Sequence, residues 1–228
     1  MKIRFLGQSG YLLTSGDSSI LLDPYLSDSV NRIAGRPRVH PIPLDPTQIQ
    51  CDAVICTHNH ADHLDPDTVS ILQDRQRFIT TAEGKSLLKS MGKSQVTVLL
   101  PGQSTSAGAF QITAVYACHT VEAFGVIIRA EGLTLYFSGD TLFDEQLSSI
   151  RSYHPDAAFL CINGRLGNMN PEEALTLARI LNAKINIPNH YDMFLSNSED
   201  PRKFASHIPN GKILEFNREY DLDRLLTE

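Results

Sequence analysis

Long apolar runs and an excess of positive charge are both missing from this sequence. Its 228 residues carry 20 lysines and arginines against 26 aspartates and glutamates, which gives a net charge of −6. A negative balance argues against a broad surface for nucleic acid or anionic membranes, although it leaves room for a local basic pocket. No stretch is long and apolar enough for a membrane span, and Lys2 and Arg4 flank an alternating strand where a signal peptide would need an apolar segment. We therefore expect no nucleic-acid and no membrane partner.

Cysteine is scarce, and the cysteines present show no paired spacing. The chain has four of them, Cys51, Cys56, Cys118 and Cys161, and three lie in apolar runs. This usage is typical of reduced core residues and not of a disulfide framework. It predicts a cytoplasmic protein.

The hydrophobic pattern in the first half of the chain predicts strands that end in polar segments. We expect strands at "MKIRFLG", "DAVICT" and "RFITT", and a hairpin at "YLLTSGDSSILLDP" that turns at Gly16-Asp17. Asp65-Pro66 is a good N-cap and first position for a helix, and "EGKSLLKSMG" predicts another. Residues 27–49, rich in proline and glycine, are predicted to form a long loop, and such loops are often functional.

The second half predicts a meander followed by alternating strands and helices. The meander strands are expected at "QVTVLLPG", "AFQITAVYA", "FGVIIRA" and "LTLYFSGD". Strands are also predicted at "AAFLCI", "KINIP" and "KILEF", with helices near 144–151, at "PEEALTLARILNA" and from Pro201. With no linker, repeat or low-complexity segment, the pattern favours a single α/β domain over residues 1–228, built on a mixed sheet or two stacked sheets.

One short segment, "CTHNHADHLDPDT", concentrates groups that bind protons or metals. His58, His60, Asp62 and His63 fall within six positions directly after a predicted strand. No structural requirement explains that density, whereas metal binding does.

Three more residues of the same type follow predicted strands further along the chain: His119, Asp140 and His190. Each alone reads as a surface, core or turn residue, but strand ends are where α/β sheets place ligands, so the three can converge on the histidine segment. Six nitrogen or oxygen ligands and one carboxylate able to bridge would hold two divalent metals, with Zn or Mn favoured and Fe allowed. Asp23, also at a strand end, is either a turn former or an acceptor that orients a ligand histidine.

These residues carry a family resemblance. "HNHADH" with the later His119, Asp140 and His190 resembles the metallo-β-lactamase superfamily, whose signature is H-x-H-x-D-H followed by a His, an Asp and a His. The resemblance implies a four-layer αββα sandwich with a dinuclear site at the sheet edges. By the same resemblance, one metal would be bound by His58, His60 and His119, the other by Asp62, His63 and His190, and Asp140 would bridge them.

A narrower likeness concerns "INGRLGNMNPEEAL" and "IPNHYDMFLSNSEDPRKF", which are similar to segments of the L-ascorbate-6-phosphate lactonase family, although this chain is shorter. The form "THNHADHLD" also resembles, more weakly, the N-acyl-phosphatidylethanolamine phospholipase D branch. The lactonase likeness implies a metal-dependent hydrolase in which a hydroxide held by both metals attacks a lactone or ester. The expected substrate is a small anionic molecule, such as a sugar phosphate.

Further residues are assigned catalytic or substrate-binding roles on weaker grounds. Asp62 and Asp140 are expected to serve catalysis as well as metal binding, with Asp62 passing a proton to the leaving group. Tyr191 either donates to the oxyanion or only packs. Arg165 and Asn168, near a predicted helix start, either hold an anion or are solvated and capping residues. Three arginines of the 27–49 segment could also close over an anionic tail: Arg32, Arg36 and Arg38.

Two other functions stay open from the sequence. One is a phosphodiesterase that uses the same dinuclear site. The other is a non-catalytic metal-binding or redox protein, against which the complete ligand set counts. A homo-oligomer is compatible with the sequence.

Overall fold

Two β-sheets carry the fold, and the computed structural model describes residues 1–227. The strands are β1 (Lys2–Gly7), β2 (Gly10–Ser15), β3 (Ser18–Leu22), β4 (Ala53–Ile55), β5 (Phe78–Thr80), β6 (Val96–Val98), β7 (Ser104–Ala107), β8 (Phe110–Val115), β9 (Gly125–Ala130), β10 (Leu133–Phe137), β11 (Ala157–Cys161), β12 (Ile185–Asn189) and β13 (Glu219–Asp221). The α-helices are α1 (Ser29–Ala34), α2 (Pro66–Ile71), α3 (Ala82–Ser90), α4 (Pro171–Leu181), α5 (Arg202–Ala205) and α6 (Leu222–Leu225). Three 3-10 helices span Pro46–Gln48, Glu145–Tyr153 and Leu195–Asn197.

The two sheets have similar internal plans. The first has seven strands in the order β13-β1-β2-β3-β4-β5-β6, and the second has six in the order β12-β11-β10-β9-β8-β7. In each sheet an antiparallel part joins a parallel part, which runs from β3 to β6 in the first sheet and from β10 to β12 in the second. The polar segments that follow the parallel strands of both sheets therefore meet at one edge of the molecule.

Strand alternation explains how the sheets stack. In β3, Ile20 and Leu22 face the large core between the sheets, while Leu21 faces a second core on the outer side of the first sheet. Residues of α2 and α3, such as Val69 and Leu88, close that outer core. On the other side, α4 packs on β11. The expected αββα sandwich is confirmed.

Several element predictions are corrected by the structure. The 27–49 segment contains α1 and the Pro46–Gln48 helix, because Asp45 caps the latter through Thr47. The "QVTVLLPG" strand is not part of the meander, since β6 pairs in parallel with β5 in the first sheet. The meander starts with β7, whose polar sequence STSA gave no apolar signal.

The "KILEF" strand is also wrong. One isolated bridge, between Asn186 and Gly211, forms directly before this segment, which then leaves the sheet with Ile213 exposed. The last strand is β13, which pairs with β1. The helix predicted near 144–151 is a 3-10 helix.

Two further expectations from the sequence concern membrane-spanning segments and the state of the cysteines. Within residues 1–227, no helix combines the length and the apolar character needed to cross a membrane. Cys56 and Cys161 are buried free thiols, and Cys51 and Cys118 are half-buried free thiols.

Candidate metal centre

The histidine segment is held at the edge of the first sheet by a buried strand and a capped helix. β4 is fully buried, and its continuation carries Thr57 and His58, both buried as well. A tight turn follows, in which the backbone N–H groups of His63 and Leu64 donate to the carbonyl of His60. This turn brings His60, Asp62 and His63 back to the strand end before α2 begins.

The second sheet contributes the other three predicted ligands. His119 follows β8, Asp140 follows β10 and His190 follows β12. Asp140 and His190 are buried, and the side chain of His119 is buried although its backbone is partly exposed. The structure thus brings all seven sequence-predicted metal residues together, from both sheets.

The cluster divides into two groups of potential ligands. One contains His58, His60, His119 and Asp140, the other contains Asp62, His63 and His190, and in each group the ligand atoms lie within 4.8 Å of one another. The family resemblance implies the same division for six of these residues and assigns Asp140 to both metals.

Asp140 lies between the two groups. Its Oδ2 is 4.0 Å from His58 Nε2, 3.9 Å from His119 Nε2 and 3.3 Å from His190 Nε2. Its Oδ1 is 3.3 Å from His63 Nε2. The carboxylate therefore reaches ligands of both groups, as a bridging residue must.

Hydrogen bonds from outside the cluster orient two of the histidines. Asp23 Oδ2 is 2.8 Å from His63 Nδ1, and the same carboxylate accepts from Thr57 N and Thr57 Oγ1. Because Nδ1 is engaged in this way, His63 presents Nε2 to the cluster. The structure thus places Asp23 where an orienting acceptor would lie.

His119 is oriented by the "GRLGNMN" segment. Its Nδ1 lies 3.0 Å from the carbonyl oxygen of Gly167, and Nε2 faces His60. Gly167 has a positive φ of 90°, and a Cβ there would come within 3.0 Å of the imidazole. Glycine permits this close approach.

Sequence reasoning missed Gln8, which touches the cluster. Its side-chain Nε2 donates to Asp62 Oδ2 over 2.8 Å, and its carbonyl accepts from the backbone N–H of His190. Gln8 is fully buried and has a positive φ of 55°. Its position directly after β1, between glycines, is the same strand-end signal that identified the other residues.

Burial and neighbouring opposite charges shift the pKa values of the clustered side chains. Burial lowers the pKa of His58 well below its ordinary value. Burial also opposes a charge on His190, but Asp140 and Asp62 outweigh it and raise the pKa of His190 to about 9. Burial favours the neutral form of Asp140, yet the charges of His190 and His63 hold its pKa well below the usual range.

Two observations indicate that the residues of this cluster fit a metal site. His63 Nε2 and Asp140 Oδ1 face each other, both fully buried and neither with a hydrogen-bond partner within the described chain. Buried polar atoms without partners are rare and costly, and a metal would satisfy both. The donor set of imidazoles and carboxylates, without thiolate, suits Zn, Mn or Fe.

A cavity of about 420 Å³ opens over this cluster, and His60, Asp62, Asp140 and His190 line it. Its volume is at the small end of the roughly 300–1,000 Å³ typical of ligand sites. Apolar side chains form much of its wall: Val30, Ile33, Ala34, Ala61, Leu166 and Phe194. Arg36, Thr120, Asn168 and Asn197 supply the other polar groups.

Two predicted catalytic or binding residues are not brought to the cluster. The Tyr191 hydroxyl donates to the carbonyl oxygen of Leu214, and its ring packs on Phe5 in the core between the sheets. The exposed Arg165 donates to the carbonyl oxygen of Ser198 and does not line the cavity. Asn170 caps α4 in a capping box with Glu173. By contrast, Asn168 is buried and lines the cavity.

Known proteins match this chain in sequence and in fold. Residues 18–191 match the Beta-lactamase superfamily domain. A UPF0173 metal-dependent hydrolase from Oenococcus oeni is 30% identical over 241 residues, which cover 97% of this chain and 100% of the relative.

Solved structures agree on the fold. A metallo hydrolase from the archaeon Ignicoccus hospitalis superposes with a TM-score of 0.79 at 23% identity, covering 96% of this chain and 97% of that one. An isothiocyanate hydrolase from Delia radicum gut bacteria gives 0.79 at 18% identity, covering 97% and 98%. The narrower likeness to the L-ascorbate-6-phosphate lactonase family is not confirmed by these matches. The chain belongs to the metallo-β-lactamase superfamily and, within it, to the UPF0173 family of metal-dependent hydrolases.

Proposed function

We propose that this protein hydrolyses a small ester or lactone with a carboxyl-type electrophile, using two divalent metal ions held by the seven-residue cluster. The observation that carries the proposal is the position of Asp140, whose two oxygens reach both groups of ligands at the floor of the cavity. Zn or Mn is the preferred metal, and Fe is compatible with the same donors.

The chain's own residues divide the work around that centre. Two bound ions would supply a water with a pKa near 7 and would polarise the oxygen of the substrate. Asp62 is held by Gln8 through Oδ2, so Oδ1, which makes no hydrogen bond within the described chain, is free to carry a proton to the leaving group. Asp23, Thr57 and Gly167 keep the imidazoles of His63 and His119 aimed at the centre.

Cavity size and lining support a small substrate with an apolar part. A volume of about 420 Å³ admits a small molecule, and much of the wall is apolar. A polyanionic polymer fits neither this cavity nor the net charge of −6.

Metal analysis and a substrate panel test the proposal. Purified protein should approach two divalent ions per chain, and the loaded protein should hydrolyse members of a lactone and aryl-ester panel faster than bis(4-nitrophenyl) phosphate. Saturation at one ion would remove the bridging role of Asp140. Faster cleavage of the phosphodiester would favour the phosphodiesterase alternative, and tight metal binding without turnover of any substrate would favour a non-catalytic protein.

A further inference from the structure

Arg36 has no partner in the described chain although it lines the cavity. It is half-buried, and it makes no hydrogen bond or ion pair with residues 1–227. It is also the one arginine or lysine among the cavity-lining residues of that range. A half-buried guanidinium with five unused donors is well suited to bind an anion.

The two neighbouring arginines have structural roles instead. Arg32 pairs with the carboxylate of Asp67. Arg38 donates to the backbone carbonyls of Ser27 and His40 and lies over the ring of Tyr25. Of the three arginines in the 27–49 segment, Arg36 is therefore the one left for a ligand.

A chain of buried amides places a second donor at the cavity. Asn168 Nδ2 donates to Asn163 Oδ1, and Asn163 Nδ2 donates both to Asn197 Oδ1 and to the carbonyl oxygen of Arg165. The backbone carbonyl fixes the orientation of the Asn163 amide, because only the NH₂ group can donate to it. Asn197 must then accept through Oδ1.

This arrangement leaves the NH₂ group of Asn197 unused. Asn197 is 5% exposed and lines the cavity, and its Nδ2 makes no hydrogen bond within residues 1–227. This Nδ2 is not among the fully enclosed polar atoms, so it is open to the cavity and available to donate to a ligand there.

We propose that Arg36 and Asn197 form a subsite that binds a carboxylate on the substrate, while the ester or lactone carbonyl lies at the metal cluster. This inference rests on the proposed function and names its substrate class: an ester or lactone that carries a carboxylate, separated from the reacting group by an apolar segment. Val30, Ile33 and Phe194 line the wall against which that segment would pack.

Charge balance favours a carboxylate over a phosphate monoester. One guanidinium matches a single negative charge in a bidentate contact, whereas a phosphate group would bring close to two negative charges to one cation. The sugar-phosphate substrate expected from the sequence drew on the lactonase likeness, on Arg165 and on the arginines of the 27–49 segment. Of these, Arg165 donates to the carbonyl oxygen of Ser198 and does not line the cavity.

Matched esters test the subsite on the metal-loaded protein. The anionic probe is the mono-4-nitrophenyl ester of glutaric acid, and the neutral probe is 4-nitrophenyl pentanoate. Arg36→Gln should lower kcat/KM for the anionic ester at least about tenfold, mainly through KM, as expected for a lost charge-assisted hydrogen bond. It should leave the neutral ester nearly unchanged. Arg32→Gln, which removes the same charge four residues earlier, in α1, should change neither.

Asn197→Asp gives an independent check. This variant keeps Oδ1 as the acceptor for Asn163 but replaces the NH₂ donor with a carboxylate oxygen. Turnover of the anionic ester should fall and that of the neutral ester should persist. Equal losses for both esters, or no loss in either variant, would overturn the subsite.

A binding measurement separates failure of the subsite from failure of the proposed function. If the wild-type protein hydrolyses neither ester, the proposed function is wrong for this class, but glutarate binding to the metal-loaded protein can still be measured by calorimetry. Weaker glutarate binding by Arg36→Gln, with Arg32→Gln unchanged, would support the subsite. Equal glutarate binding by all three proteins would overturn it, and a larger Arg36→Gln effect on inorganic phosphate than on glutarate would overturn the assignment to a carboxylate.

Discussion

At the scale of single residues, protons and metal ions compete for the ligand atoms of the cluster. His190 beside Asp140 and Asp62 has a pKa raised to about 9, above the ordinary 6.5 of histidine. In the metal-free protein this protonated imidazole stabilises the fold fully below pH about 6.5, and the stabilisation is lost as pH rises through about 9. Burial opposes a charge on His63 as well, but Asp140, Asp23 and Asp62 outweigh it and raise the pKa of His63.

Metal binding should therefore release protons. Since a ligand histidine must give up its proton, we expect Zn binding to the chelator-stripped protein at pH 7 to release protons, and the apparent affinity to rise with pH until about 9. Calorimetry in two buffers of different ionisation enthalpy measures the number released. Absence of proton release at pH 7 would mean that His63 and His190 are already neutral in the stripped protein.

At the scale of elements, two Asp-Pro helix starts look alike in sequence and differ in the structure. Asp65 caps α2 and Asp45 caps the Pro46–Gln48 helix, each accepting from a backbone N–H two residues on. Asp65 is buried and also accepts from Leu26 N and Ser27 Oγ, so it joins the segment after β3 to the histidine segment. Asp45 is exposed, and within residues 1–227 its side chain bonds only to Thr47.

Asp65→Ala should therefore cost much more stability than Asp45→Ala. Loss of the cap and of acceptors for buried donors should lower the free energy of unfolding by about 2–4 kcal/mol, whereas Asp45→Ala should have a small effect. Urea denaturation of the two variants under identical metal loading measures the difference. Similar losses in both would mean that the bonds from Asp65 to Leu26 and Ser27 contribute little.

At the scale of the whole molecule, the sequence predicted the site residues that follow strands, but it did not predict contacts that depend on packing between distant segments. His58, His119, Asp140 and His190 could be identified because each lies within four residues after the end of an apolar strand. The unused donor of Asn197 could not, because it depends on how Asn197 meets Asn163 and Asn168, which lie in another segment of the chain.

Two errors in the predicted elements have the same physical origin. "KILEF" has the composition of a strand, but a strand needs a partner along its length, and after Gly211 the segment has none in the sheet. β7 is polar and yet forms a strand, because β8 pairs with it over four residues. Pairing across the chain decided both cases, and local composition does not contain it.

Metal ions should also hold the two sheets together at this edge. His58, His60, Asp62 and His63 come from the first sheet, and His119, Asp140 and His190 come from the second. A ligand at 1,000 times its Kd adds about 4 kcal/mol to the stability of the folded state, which for a chain of this size corresponds to a Tm increase of roughly 8–16 °C. Chelation should reverse this increase in calorimetric scans. His119→Ala should reduce the Tm difference between metal-loaded and metal-stripped protein, because it removes a ligand that the second sheet supplies. His207 is an exposed histidine outside the cluster, so His207→Ala should leave this Tm difference unchanged. A wild-type Tm that is the same with and without metal would show that the ions do not contribute to holding the sheets together.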